Sequence, residues 1–179
     1  MNDELAANLE ALHPDAFGWA LHCCGGDQSR AEDVLQNAYL KVIQGTASQD
    51  RSGALKTWWF GVIRFTAQEE FRRLRQRESL VAKVLRQFLP GTHAEVDPAP
   101  SPFRQIELSE RAEHLRSLLA QLPERQAAVL HLAFYQELSL NEAAEVLGIS
   151  PGSVRQHYER GKTRLRSLIQ QTPALLNHE

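Results

Sequence analysis

The sequence predicts an all-α chain of two small helical domains joined by a flexible linker, the C-terminal one containing a helix-turn-helix. Three observations predict it. Apolar residues recur at i, i+3, i+4 and i+7 spacing, and no window sustains the strict alternation, rich in Val, Ile and Thr, of a half-buried strand. Four of the eight prolines, Pro90, Pro98, Pro100 and Pro102, share one short stretch with Gly91, Ser101, Glu95 and Asp97, the composition of an extended linker. Helix start and stop signals punctuate both halves. The expected boundaries are a helical domain over 1–89, a linker over 90–103 and a helix-turn-helix domain over 104–179.

The first two helices are expected over 3–12 and 14–24, with Pro14 in the first turn, where its missing N–H costs nothing. A third opens at Ser29, because Ser29-Arg30-Ala31-Glu32 has the spacing of a capping box. Its apolar stripe is Ala31, Val34, Leu35, Ala38, Tyr39, Val42 and Ile43, and Gly45 ends it. A fourth begins near Ser52, with Leu55, Trp58, Trp59, Val62 and Ile63 on one face, and turns basic at Arg72, Arg73, Arg75 and Arg77. Beyond the linker a helix is expected over 104–120. Pro123 then opens another, running to about Gln136. Ser139-Leu140-Asn141-Glu142 is a second capping box, whose short helix stops at Gly148. Ser150 caps the last helix, with Pro151 at its first position.

Among 179 residues, 20 Lys and Arg stand against 22 Asp and Glu, a net charge of −2 that taken whole points to no polyanionic partner. The blocks differ. Residues 1–50 carry −6, 51–90 carry +6, 91–120 carry −2 and 121–179 are neutral. Within the last block, Arg155, Arg160, Lys162, Arg164 and Arg166 face Glu159 alone. Two separate basic stretches therefore offer surfaces to phosphates.

Several functions are excluded or disfavoured by what the chain carries. Cys23 and Cys24 are adjacent, which rules out a disulfide framework and suits a reducing compartment. With no second ligand pair, they and the neighbouring His22 are expected to be buried thiols rather than a metal site. There is no glycine-rich phosphate loop, HExxH, GxSxG or nucleophile–base set, so neither an enzyme nor a cofactor is expected. The start, Met1-Asn2-Asp3-Glu4, is acidic, and no long apolar run follows it, so the expectation is a cytoplasmic protein without membrane insertion.

Two constellations point instead to nucleic acid. A helix-turn-helix needs a small residue at the helix crossing, a turn residue tolerant of a left-handed backbone and an apolar anchor on the second helix. Ala144, Gly148 and Val154 supply them. Outward on that second helix stand Ser153, Arg155, Gln156, Glu159, Arg160 and Thr163, types that hydrogen-bond base edges and phosphates. The other constellation is Trp58, with Trp59 and Phe60, ahead of Arg64, Arg72 and Arg73. Exposed bases stack on aromatic faces and cations track the backbone of a single strand. The blander account, a buried aromatic stripe beside a solvated arginine run, competes with it.

These residues resemble the extracytoplasmic-function group of bacterial sigma-70 sigma factors, over about 14–77 and 118–169. Leu122-Pro123-Glu124-Arg125-Gln126, Leu138-Ser139 and Ala144 through Val154-Arg155 resemble sigma region 4, which binds the minus-35 promoter element. Ala31-Glu32-Asp33-Val34-Leu35-Gln36-Asn37-Ala38-Tyr39 resembles the region 2 helix that grips the clamp helices of the polymerase. Trp58 through Arg64 resembles the start of the helix that contacts and opens the minus-10 element.

The resemblance implies a sigma factor that binds core RNA polymerase at its clamp helices and flap, reads both promoter elements and helps melt the DNA. An anti-sigma factor is a further candidate partner. It assigns core binding to Glu32, Asp33, Gln36 and Asn37, minus-10 contacts to Trp58, Arg64, Arg72 and Arg73, and minus-35 contacts to Ser153, Arg155, Gln156, Glu159 and Arg160. The loop over about Gly45 to Ala54 would receive a base flipped from the non-template strand. Arg64-Phe65 stands where relatives usually carry Arg-Asn, and Gln156-His157 where Ser-Arg is common. The alternatives are a helix-turn-helix regulator with a ligand-sensing or dimerising N-terminal lobe, and an adaptor that has lost DNA binding.

Overall fold

In a computed structural model the described residues are 3–48, 53–88 and 117–171, with side chains described outside 78–88. Seven α-helices order them: α1 (Asp3–Ala11), α2 (His13–Cys23), α3 (Gln28–Ile43), α4 (Leu55–Phe88), α5 (Glu124–Leu130), α6 (Leu140–Leu147) and α7 (Pro151–Gln170). A π-helical turn, His131–Tyr135, continues α5, and no strand occurs among the described residues. The expected linker lies outside the described residues. So does most of the helix expected over 104–120, of which 117–120 is helical.

The N-terminal lobe, α1 to α4, is organised by two indoles. Trp19 on α2 is buried, and its Nε1 donates to the Phe60 carbonyl of α4 at 3.0 Å, tying helices 41 residues apart. Trp59, Phe60 and Ile63 of α4 are fully buried against the α3 stripe of Ala31, Val34, Leu35 and Ala38. Burying each such side chain contributes about 1.5–3 kcal/mol. The α3 start differs from the expected one. The helix opens at Gln28 with Asp27 as N-cap, its carboxylate accepting from the Arg30 amide at 3.1 Å, so Ser29 lies inside the first turn. Gly25 and Gly26, at φ 64° and 89°, turn the chain so that Asp27 arrives in extended geometry, where a full negative charge suits the helix N-terminus better than a hydroxyl. Helix α4 opens at Leu55, three residues beyond Ser52.

In the C-terminal lobe the expected signals are met in detail. The Ser139 hydroxyl and the Glu142 carboxylate cap α6 reciprocally, and Gly148 at φ 60° closes it. Ser150 Oγ accepts from the Ser153 amide at 3.2 Å to start α7, and Val154 is fully buried at the helix crossing. Gly161 lets α7 approach α5: a Cβ there would sit 3.1 Å from Leu130 Cδ1. Pro123 stands just outside α5 as its N-cap instead of within the first turn.

The two lobes share one continuous cluster of buried side chains. Helix α6 packs along α4. His131 of the π-helical turn stacks on His22 at 4.8 Å and packs tilted against Trp19 at 5.4 Å, and buried Gln136 Nε2 donates to the Asp15 carbonyl at 3.4 Å. Burial pushes His22 down to about 4, and burial together with His22 pushes His131 down to about 3, so both rings are neutral in this arrangement. No described helix is long and apolar enough to cross a membrane.

Candidate nucleic-acid and partner interfaces

The expected core-binding residues form one surface. Glu32, Asp33, Gln36 and Asn37 are all exposed on the face of α3 opposite its buried stripe. Gln28 Nε2 donates to Glu32 Oε1 at 3.1 Å, and Asn37 donates to Glu70 of α4, so the face is pre-ordered by its own polar contacts. Leu40 and Ile43 continue it as exposed apolar residues at 43% and 55%. This mixture of acid, amide and aliphatic groups fits a basic, amphipathic partner.

Of the tryptophan cluster, only Trp58 remains half-exposed. Trp59 and Phe60 are in the core, so their rings are unavailable to a base. Trp58 Nε1 donates to the Ser48 carbonyl at 3.1 Å, which fixes the indole beside the α3–α4 loop. There it lines a cleft of about 580 Å³ whose walls include Lys41, Gly53, Thr57, Phe65 and Glu69. Lys41 Nζ bonds Glu69 at 2.7 Å and Thr66 at 3.1 Å and lies 5.1 Å from the Phe65 ring centre. The Lys41 hydrogen bond holds the Glu69 carboxyl below its ordinary value. Lys41 was not among the expected residues. Lys41 sits within an otherwise acidic block, and only the α3–α4 contact brings it to the cleft.

The arginines divide. Arg73 pairs with Glu69 at 2.6 Å, and Arg72 is exposed beyond Phe65, so both extend the cleft face along α4. Arg64 lies elsewhere. Six residues after Trp58 it falls on a different side of the helix, half-buried near Cys23, Glu124 and Arg125, where burial lowers its pKa. The thiols beside it are inert: burial raises Cys24 to about 12 and Cys23 further still.

On α7, Arg155, Gln156, Glu159 and Arg160 are exposed on one face, and Ser153 is half-buried with its hydroxyl 2.9 Å from Ser150 Oγ in the cap. Glu159 pairs with Lys162 at 2.9 Å, and Lys162 lies 4.3 Å from the Tyr158 ring centre. No ion pair engages Arg155 or Arg160 among the described residues, which leaves both guanidinium groups available to phosphates or guanine edges. Arg155→Ala is expected to cost about 1–3 kcal/mol at one base position if the side chain reads guanine. A binding survey over single-base variants of a site would instead show uniform weakening if it only contacts phosphate.

Residues 9–78 match the family model described as sigma-70 region 2, and residues 118–167 match that of sigma-70 region 4. The chain is 29% identical over 169 residues to the ECF RNA polymerase sigma factor SigX of Bacillus subtilis, covering 93% of this chain and 84% of the relative. It is 24% identical over 170 residues to the ECF sigma factor EcfG of Rhodopseudomonas palustris, covering 94% and 87%. Among solved structures, the sigma factor RpoE from Bartonella quintana, crystallised with the anti-sigma factor NepR, superposes with a TM-score of 0.66 at 21% identity, over 94% of this chain and 98% of that one. Both region models in one chain, in the order and on the helices described above, together with relatives aligned over most of their length, make this protein a member of the extracytoplasmic-function group of sigma-70 RNA polymerase sigma factors.

Proposed function

We propose that this sigma factor acts as a two-module promoter reader. Residues 1–89 bind core polymerase and the minus-10 element, and residues 104–179 bind the minus-35 element and the flap. Glu32, Asp33, Gln36 and Asn37 meet the basic clamp helices. Trp58 offers an aromatic face at the α3–α4 cleft to an unstacked base, while Arg72 and Arg73 track the adjoining phosphates. Arg64, turned toward the C-terminal lobe, joins them only if the lobes separate. Ser153, Arg155, Gln156, Glu159 and Arg160 enter the major groove of the minus-35 duplex. Removing a base from the stack costs a few kcal/mol, which stacking and backbone contacts offset, so melting runs on binding energy and the chain itself catalyses nothing. The protein works in the cytoplasm with its polymerase. An anti-sigma factor is a further partner, as RpoE of Bartonella quintana has one in NepR.

The observation that carries this reading is the pairing in one chain of an exposed acidic α3 face with an exposed basic α7 face, one suited to protein and the other to DNA. At net charge −2 the chain has little non-specific attraction for DNA, so polymerase must supply much of the promoter affinity. The test is promoter-specific transcription by purified sigma-free core polymerase with and without the protein. A footprint by the protein alone on duplex DNA, with no transcript on adding core, would favour a simple regulator. Asp33→Arg is expected to lower core affinity at least tenfold, about 1.4 kcal/mol, while leaving duplex binding by the C-terminal lobe unchanged. Equal loss of both would refute the division of labour.

A further inference from the structure

A lone exposed ring on a protein surface needs no special account, but Phe65, 59% exposed, stands in a row. Trp58 and Phe65 lie seven positions apart on α4, two turns or about 10.5 Å along its axis, and both line the cleft beside the α3–α4 loop. Between them come Val62, packed against the core, and Gly61, where an added Cβ would meet no heavy atom within 4 Å. The floor between the two aromatic positions is therefore bare. Its length is about three times the roughly 3.4 Å rise between stacked bases, so flat groups fit there. Thr57, one turn before Gly61, also lines the cleft; it is only 4% exposed, and its Oγ1 has no hydrogen-bond partner. Glu142, whose carboxyl Thr57 influences least of the groups that lower it, is already bonded by the Ser139 amide and hydroxyl at 2.8 and 2.6 Å. A buried hydroxyl left unpaired is destabilising, and the polar edge of a ligand would relieve it.

The rim is cationic. Lys41 Nζ lies 5.1 Å from the Phe65 ring centre and is fixed by Glu69 and Thr66, which use two of its three N–H groups. Glu69 is neutralised by Lys41 and Arg73, and Glu145 reaches the cleft from the C-terminal lobe. Seven positions past Phe65, exposed Arg72 repeats the spacing with a positive charge. An apolar peptide would use the rings and leave the cations idle. A strand of unpaired nucleotides uses both, bases on the rings and phosphates on the cations.

We propose that Phe65 is a second base-stacking plate, so that the cleft is a slot for two successive unpaired bases of one strand. One base lies against Trp58 and the next against Phe65, with Gly61 as the bare floor and Thr57 and Lys41 meeting the base edges. This rests on the reading of Trp58 given above and adds a residue and a nucleotide to it. Every base has a π-face, so the nucleotide on Phe65 is selected for being unpaired and not for its identity. Melting is then held one nucleotide further than a single plate would hold it.

The test uses the full-length protein assembled with core polymerase, on a fork-junction DNA cut from a promoter that this holoenzyme transcribes. Abasic sites replace the nucleotides of the single-stranded arm one at a time. Two adjacent positions are expected to show a loss of roughly tenfold each. Phe65→Ala should weaken binding of intact DNA about tenfold and cancel the penalty at one of those positions alone, with core affinity unchanged. Phe65→Trp should restore both binding and penalty. Exchange among the four bases at the Phe65 nucleotide should alter affinity less than about fivefold. Gly61→Leu, which fills the floor without meeting a neighbour, should lose both penalties while its thermal midpoint does not fall. Both penalties surviving Phe65→Ala, wild-type binding by Gly61→Leu, or a larger base preference at that nucleotide would each overturn the proposal. A single penalty, cancelled only by Trp58→Ala, would remove the second plate and leave the Trp58 reading standing. No penalty at any position would remove both.

Discussion

Val154→Asp is expected to abolish minus-35 recognition and to destabilise the chain by about 3–5 kcal/mol. Val154 is fully buried where α7 crosses the rest of the C-terminal lobe, and it belongs to the cluster that runs through both lobes. A carboxylate at this position would lose its water and find no cation, because the lysine and arginines of α7 lie on outward or half-exposed positions. The ring of Tyr158 one turn later, and Gly161 packed on Leu130, depend on the same close approach of helices, so displacement of Val154 lifts the whole reading face. Val154→Ala separates packing from charge. It removes two methyl groups without adding a polar atom and should cost about 2 kcal/mol, leaving duplex affinity measurable. Urea denaturation read by circular dichroism, alongside duplex binding, checks both. An Asp variant that melts with the wild type and still binds duplex would show that α7 is held by something other than this anchor.

Acidification from pH 7 to pH 5 is expected to weaken the lobe contact by about 2–4 kcal/mol, well before the carboxylates titrate. His22 and His131 are neutral where they stack, with pKa values lowered to about 4 and about 3 from an ordinary 6.5. A group whose folded pKa lies below its free value favours the closed form only while deprotonated. Stability is therefore full above 6.5 and falls as the pH drops from there toward the folded values. The groups around the pair offer no compensating acid: Trp19, Tyr135 and the Gln136 amide surround it, and Asp15 contributes its backbone carbonyl. The carboxyls of Glu69 and Glu142 are lowered and lose their partners only at more acid pH, so their titration is separable. Scattering and denaturation at pH 7 and pH 5 should show expansion and a lower midpoint. The His22→Phe, His131→Phe double variant should flatten that dependence, and an unchanged profile in that variant would remove the pair from the account.

How much was legible beforehand depended on how local the signal was. The α6 capping box, the left-handed turn at Gly148 and the Ser150–Pro151 start of α7 were all readable. Each is a contract between neighbouring backbone groups and one side chain, complete within four residues. The α3 start was misplaced by the same kind of reasoning. Two local caps competed, Asp27 and Ser29, and the preceding Gly25–Gly26 turn decided between them. Periodicity placed Trp58, Trp59, Val62 and Ile63 on one apolar face, of which Trp59 and Ile63 are fully buried while Trp58 and Val62, at its edge, stay half-exposed. It could not place Arg64, whose direction matters only once a second lobe stands beside α4.

The sequence by itself determined that this chain is all-α, that its near-neutral charge hides an acidic first fifty residues and two basic stretches, and that its motifs are those of sigma regions 2 and 4. These are properties of residue order and spacing, and they survive without any knowledge of which helices touch. Only the tertiary structure decided that the α3–α4 cleft takes a wall from the C-terminal lobe, that Lys41 and Phe65 belong to it, and that two histidines 109 positions apart share one stack. Contacts at that separation leave no periodic trace in the chain. They arise from the closure of two apolar faces on each other, and that closure is chosen by burial summed over the whole molecule.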